Sequence, residues 1–257
     1  MTPHFDTERH PITDDAYVGR CRAQLARDGA LVLPGFARAS TIERIVTESA
    51  PRETDAFYAG TTHNVYLTPS DPALPDDHPY NRQVESSKGL IADDEIPTDS
   101  PLREMYDDAS FRMFLCGVLG IDAIHPYADD LSSINVHFAG EGMELGWHFD
   151  NSSFAVTMLL QAAEGGAHFE HVPAVRDADA GDMAFDRVGT ILAGGEPVQT
   201  LDFEPGDLVL FRGRNAIHRV TPTTGNATRL LVVFAYNDQP GVTLSTSARS
   251  TFYGRTG

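Results

Sequence analysis

The chain has 257 residues, of which 41% are hydrophobic and 22% charged, and a formal net charge of −18. That length suits one large domain, and the balance of apolar and charged residues excludes wholesale disorder. The acidity, with no run of Lys or Arg to offset it, excludes nucleic acid as a partner, and no apolar run approaches the ~18 residues of a membrane span. The opening stretch MTPHFDTERHPITDD lacks the basic and apolar regions of a signal peptide, so the expected location is the cytoplasm. Cys21 and Cys116 are expected to be reduced thiols, too few for a zinc cluster.

Val18, Cys21 and Leu25 recur at helical spacing and predict a helix from Asp14 to Arg27; ALVLPGF then predicts a short strand stopped by Pro34 and Gly35. STIERIV reads as a capping box, with Ser40 at the N-cap and Glu43 three residues on. The segment 68–83, TPSDPALPDDHPYNRQ, is rich in Pro and Asp without periodicity, and predicts a long loop of the kind that forms lids. SPLREMY starts a further helix with Ser100 as cap and Pro101 in the first turn, and FRMFLCGVLG continues or follows it until Gly120. Helices are thus expected to dominate the first 120 residues.

Beyond Asp129 the period changes to two. In LSSINVHF, Ile134, Val136 and Phe138 face one way while Asn135 and His137 face the other. Strands are predicted at FAVTMLLQ, VQTLDF, DLVLF and RLLVVFAY, with a turn at EPGD, residues 204–207, and no helical runs between them. The expectation is a mainly β double-stranded β-helix, a jelly roll, with supporting helices from residues 1–120 and the sheet core over 121–257 of a single domain.

The stretch WHFDN, residues 147–151, raises a question of chemistry. A His two places before an Asp is cheap by itself, but in a strand such residues point to one face and offer an imidazole beside a carboxylate. A third ligand must come from elsewhere, and His168, His171 and His218 are candidates. Two neutral imidazoles and a carboxylate on one face of an octahedral metal leave three positions open, the arrangement of non-haem Fe(II) oxygenases. A 2-oxo diacid filling two of them needs a buried, planar cation for its far carboxylate, and Arg229 opens the strand after His218.

With those residues in order, the sequence resembles the Fe(II)/2-oxoglutarate-dependent oxygenases. The resemblance implies that His148, Asp150 and His218 hold iron and that Arg229 takes 2-oxoglutarate. NVHFAG is similar to the family's Asn-x-Tyr-x-x-Gly strand, which implies that Asn135, and His137 in place of Tyr, reach the co-substrate. GWHFDNSSFAVTMLLQ, GGAHFEHVP, LPDDHPYNRQ and FYGR resemble, more narrowly, the branch of carrier-free amino-acid hydroxylases and halogenases. In its halogenases Gly replaces the carboxylate ligand and opens a position for chloride; this chain keeps Asp150. The resemblance therefore implies Fe(II), 2-oxoglutarate and O₂ as cofactors and co-substrates, succinate and CO₂ as co-products, and hydroxylation of a free amino acid or similar small molecule.

For the substrate, Asn151 is placed to bend toward it, Arg82 or Lys88 to pair with a carboxylate, and Asp129 or Asp130 with an amine. Trp147 and Arg219 are expected to point away from their neighbouring ligands. The same cofactors also support desaturation or cyclisation. A metal-dependent sensor or small-ligand binding protein on the same fold, or a cupin-type metalloenzyme, are readings of other classes. A homodimer is compatible with the sequence, without a patch that marks it.

Overall fold

The structure, a computed structural model, describes residues 3–257. Helix α1 (Asp15–Asp28) starts where the Asp14 carboxylate accepts from the Tyr17 N–H at 2.7 Å, and buries Cys21 and Leu25. Strand β1 (Ala30–Leu33) and helix α2 (Ala39–Ser49) follow, then a hairpin of β2 (Phe57–Asn64) and β3 (Gln83–Ile91), whose connection is the Pro- and Asp-rich loop. Ser100 caps α3 (Pro101–Asp107) by accepting from the Leu102 N–H at 3.2 Å. Asp108 caps a separate α4 (Ala109–Leu119), which ends at Gly120 with φ +75°. Both cysteines are free thiols.

The second half supplies β4 (Ile134–Ala139), β5 (Leu145–His148), β6 (Ala155–Gln161), β7 (Gly165–Gly166) and β8 (Phe169–Val172). Helix α5 (Phe185–Leu192) comes next, then β9 (Gln199–Leu201), β10 (Leu208–Phe211), β11 (Ile217–Val220), β12 (Thr223–Thr224), β13 (Arg229–Phe234) and α6 (Thr246–Tyr253). Among the described residues, eleven strands form one sheet in the order β1-β10-β6-β13-β4-β3-β5-β11-β8-β9, with β2 paired to β3. All its pairings are antiparallel. The sheet curls as a jelly roll, and none of its helices is long and apolar enough to cross a membrane.

Alternation explains the layering. Ile134, Val136 and Phe138 of β4 and Leu230, Val232 and Phe234 of β13 pack with Ile42 and Ile45 of α2 and with Phe111, Phe114 and Leu115 of α4. Each such side chain, fully buried, contributes about 1.5–3 kcal/mol, so the helices are held to the outer face of this half of the sheet. The intervening residues Asn135, His137, Arg229, Leu231 and Val233 are left on the opposite, inner face.

Three expectations need correction. The capping box at Ser40 does not form: α2 begins two residues earlier than that cap implies, with Arg38 extended at its N-cap and no side-chain cap. The register is set instead by burial of Thr41, Ile42 and Ile45 and by backbone bonds from Ala37 to Gly206 and from Arg38 to His4, both 2.9 Å. The first 120 residues are not dominated by helices alone, since β1, β2 and β3 join the main sheet. FYAGTTHN shows no apolar alternation because most of β2 is exposed or half-exposed, and its pairing partner lies beyond the loop. Finally, a helix does interrupt the later strands. Helix α5 carries Gly189 in its middle and is entered through Ala184 at φ +52° without a side-chain cap, so the usual start signals are missing.

Candidate metal centre and its two cavities

Strand β11 lies between β5 and β8, and this register puts His218 directly opposite His148 on one side and His171 on the other. Residues opposite one another in an antiparallel pair project to the same face, so the two imidazoles meet at 4.2 Å between ring centroids. Asp150 follows two residues after His148, just past the end of β5, where its N–H donates to the Gly213 carbonyl at 3.0 Å. Its Oδ1 stands 3.8 Å from His148 Nε2 and 3.5 Å from His218 Nε2.

The donor atoms suit a cation. In each histidine Nδ1 is hydrogen-bonded to the carbonyl two residues back, Gly146 at 2.8 Å for His148 and Ala216 at 3.1 Å for His218. A neutral ring that donates through Nδ1 leaves the Nε2 lone pair free, and both Nε2 atoms converge on Asp150. One ligand atom from each of His148, Asp150 and His218 lies within 4.8 Å of the others, and the buried Asp150 Oδ2 has no hydrogen-bond partner. Burial, then the neighbouring His218, pushes His148 down to about 3, so its ring is neutral and available as a ligand. Desolvation acts to raise Asp150, but His218, His148 and Lys88 outweigh it and hold the carboxyl below its ordinary value. A half-buried carboxylate with an orphaned buried oxygen, beside two converging imidazole nitrogens, fits a divalent metal.

Gly213 is the part of the centre that sequence reading passed over. A Cβ at this position would overlap the Asp150 carboxylate and lie 2.8 Å from His218 Cε1. The signal was present in FRGRNAIH, five residues before His218, but the need for glycine depends on a carboxylate 63 residues away in sequence. Gly213→Ala is expected to displace Asp150, lowering iron affinity about tenfold or more and destabilising the protein by about 1–3 kcal/mol. Iron titration and thermal unfolding of the purified variant would read both effects; full iron affinity with an unchanged Tm would show that the site relaxes freely.

A second close approach shapes the same region. Gly146 lets β5 pass against the Glu85 backbone of β3, where a Cβ would be only 2.9 Å from Val84 Cγ2. Its N–H donates to Ser86 Oγ at 2.9 Å, and Ser86 Oγ is 2.7 Å from His63 Nε2. The β2–β3 hairpin is thereby tied to the strand that carries His148.

A cavity of about 290 Å³ opens beside the three candidate ligands, between the β6, β10, β13 half of the sheet and the β5, β8, β11 half. Arg229 lines it, 8% exposed, and burial pushes its guanidinium down to about 10. No hydrogen bond or ion pair to another described residue holds that guanidinium. His137 lines the same cavity, held well below its ordinary value by burial and then by Lys88 and Arg229, and is a neutral ring. A second cavity, about 250 Å³, meets His148 and Asp150 from the side of the hairpin. Lys88 lines both cavities, and burial pushes its ammonium down to about 8 against the pull of Asp150.

The remaining sequence-derived residues fall elsewhere. Asn135 is buried on the inner face but does not line the larger cavity, and its amide donates to the Ser132 carbonyl at 2.9 Å. Arg82 is exposed in the turn before β3, and Asn151 is exposed, its carbonyl accepting from Arg214 at 3.1 Å. Asp130 lies in a separate surface depression with Asp93, Arg103 and Asp129, and the Asp129 carboxylate caps the Leu131 and Leu244 N–H groups. None of Arg82, Asn151 and Asp130 lines either cavity, because each sits where its backbone turns outward. His168 is exposed, while His171 is buried against Phe211 and outside the ligand cluster. Arg219 turns away as expected, bonding Glu170 at 2.7 Å and lying 4.8 Å over the buried Trp147 ring.

The fold has many relatives among solved structures. A 2OG-Fe(II) oxygenase family oxidoreductase from Burkholderia pseudomallei superposes with a TM-score of 0.54 at 16% identity, covering 88% of this chain and 92% of that one. The non-heme alpha ketoglutarate dependent carbocyclase SnoK of nogalamycin biosynthesis gives 0.61 at 12%, covering 90% and 89%. EctD from S. alaskensis, solved with 2-oxoglutarate and 5-hydroxyectoine, gives 0.53 at 17%, covering 85% and 75%. These likenesses establish a shared fold. A search of curated proteins finds no match. Against family models, however, residues 81–251 match Halogenase D, a span that takes in β3, both strands of the histidine pair and Arg229. The chain thus belongs to the Halogenase D family.

Proposed function

We propose that this protein hydroxylates an unactivated C–H bond of a free amino acid or a similar small molecule, as a single oxygenase domain over residues 1–257. The observation that carries the reading is Asp150. The family takes its name from halogenation, but here a carboxylate stands beside the two histidines, which supports oxygen rather than halide chemistry if Asp150 takes the metal position that the resemblance leaves open to chloride in halogenases. His148, Asp150 and His218 would hold Fe(II) through two Nε2 atoms and a carboxylate oxygen. Arg229 would pair with the far carboxylate of 2-oxoglutarate, consistent with a buried guanidinium that has no hydrogen bond or ion pair among the described residues. When bound, iron with 2-oxoglutarate and O₂ supplies the oxidant that removes a substrate hydrogen and returns hydroxyl, with release of succinate and CO₂.

The protein's own part is placement and exclusion. The Gly146 and Ala216 carbonyls hold both imidazoles through Nδ1, which turns their Nε2 atoms toward Asp150. Val209 and Phe211 of β10 and Phe169 of β8 line the larger cavity and keep bulk water from the reacting atoms. The second cavity, on the other side of His148 and Asp150, is the space left for the substrate.

Incubation of iron-loaded protein with 2-oxoglutarate, air and a pooled amino-acid mixture, followed by mass spectrometry, tests the reading. The expected result is one amino acid gaining an oxygen in step with succinate. A product that instead loses two hydrogens would reassign the reaction to desaturation or cyclisation. A chlorinated product in the presence of chloride would overturn the role given to Asp150. Binding of 2-oxoglutarate without turnover on any substrate would favour a sensor.

A further inference from the structure

We infer that Lys88 takes the carboxylate of the primary substrate, and that the site selects a small carboxylic acid with a neutral, largely aliphatic body, neutral amino acids included, over basic ones. The inference rests on the oxygenase reading above and narrows it to a substrate class.

Strand periodicity builds the chamber. Phe57, Ala59, Thr61 and His63 alternate along β2, and Ser86, Lys88 and Leu90 alternate along β3, so one face of the hairpin lines the second cavity. Lys88 sits in the middle of that face, in the wall shared with the cavity of Arg229. Its Nζ lies 5.9 Å over the Phe252 ring of α6, which also lines the second cavity. Among the described residues it makes no hydrogen bond or ion pair. A half-buried ammonium in a cavity wall, without an anion of its own, gains a charge-assisted contact when a ligand brings one.

The charge inventory sets the class of ligand. Apart from its histidines, the second cavity has two ionisable lining groups, Lys88 and Asp150. Asp150 belongs to the metal, so an entering carboxylate has one cation to meet and an ammonium on the substrate side chain has no carboxylate to meet. Arg229 does not line this cavity, which leaves it to the co-substrate. The mouth is apolar: Phe57, Leu67 and Phe252 line it at 38%, 38% and 43% exposure, surfaces that an aliphatic body would cover.

The test is calorimetric titration, under nitrogen, of Fe(II)- and 2-oxoglutarate-loaded protein with L-norleucine, L-lysine and L-norleucinol. Lysine adds one ammonium to norleucine, and norleucinol replaces its carboxylate by an alcohol. Norleucine is expected to bind at least about tenfold more tightly than either, the effect of one charge-assisted contact. Lys88→Met should erase the margin of norleucine over norleucinol while Lys88→Arg keeps most of it, with 2-oxoglutarate affinity in both variants close to wild type. Unchanged norleucine binding in Lys88→Met would overturn the inference. So would lysine as the tightest ligand, a loss confined to 2-oxoglutarate affinity, or no binding of any of the three. Failure of the iron-loaded wild type to bind 2-oxoglutarate would instead remove the oxygenase reading on which the inference stands.

Discussion

Asp150→Gly is expected to lower iron affinity by roughly 100-fold or more and hydroxylation with it. Loss of a group that merely orients a metal ligand already costs 10- to 100-fold, and this substitution would remove one of the three proposed ligands. Three features make the carboxylate irreplaceable in place. Its Oδ2 is buried without a partner, its Oδ1 is the third point of the donor set, and no water-exposed acid stands within the cluster to substitute for it. The apoprotein should nevertheless stay folded. Asp150 is a half-buried charge that pays desolvation, so its removal relieves that cost as well as breaking contacts. Equilibrium dialysis against Fe(II), together with thermal unfolding of the metal-free protein, separates the two effects. Turnover at the wild-type rate would take Asp150 out of the ligand set.

Arg229→Ala should act on the co-substrate rather than on the metal. Truncating one partner of a buried, hydrogen-bonded charge pair costs about 2–5 kcal/mol, which corresponds to a rise of roughly 30-fold or more in the 2-oxoglutarate requirement. Iron affinity without co-substrate should change little, because Arg229 opens β13 and the ligands stand on and beyond β5 and β11. Nor should the free protein lose much stability, since the guanidinium removed is buried and pairs with no anion among the described residues. The 2-oxoglutarate dependence of succinate formation reads the first effect, and dialysis against Fe(II) the second. A normal requirement would assign the far carboxylate to another cation, and Lys88, in the same cavity wall, is the one to test next.

Where local patterns met local physics, the sequence and the structure agree. Alternation in INVHFA separates a core face from a cavity face; Ser100 caps the helix it precedes; Gly120 ends α4. The order of His148, Asp150, His218 and Arg229 was legible because a metal site of this kind needs those donor types and a distant cation, and strand spacing limits how they are delivered. Neighbouring residues were harder to place. Arg82, Asn151 and Asp130 were chosen for charge and proximity along the chain, yet turns direct them to the surface, and no periodicity reports the direction of a turn.

By itself, then, the sequence pointed to the jelly-roll character of the second half and to His148, Asp150 and His218, which the fold gathers into one cluster able to hold a metal ion. Tertiary structure alone decided the shape of the substrate chamber. The β2–β3 hairpin enters the sheet through long-range pairings such as Ser86 with Leu145, which follow from backbone hydrogen bonding and global burial rather than from any local repeat. Only that pairing brings Lys88 to the wall beside Asp150, and only the approach of two distant loops makes Gly213 a requirement of the metal centre. A packed interior allows one arrangement of such contacts, and that arrangement is a property of the whole chain.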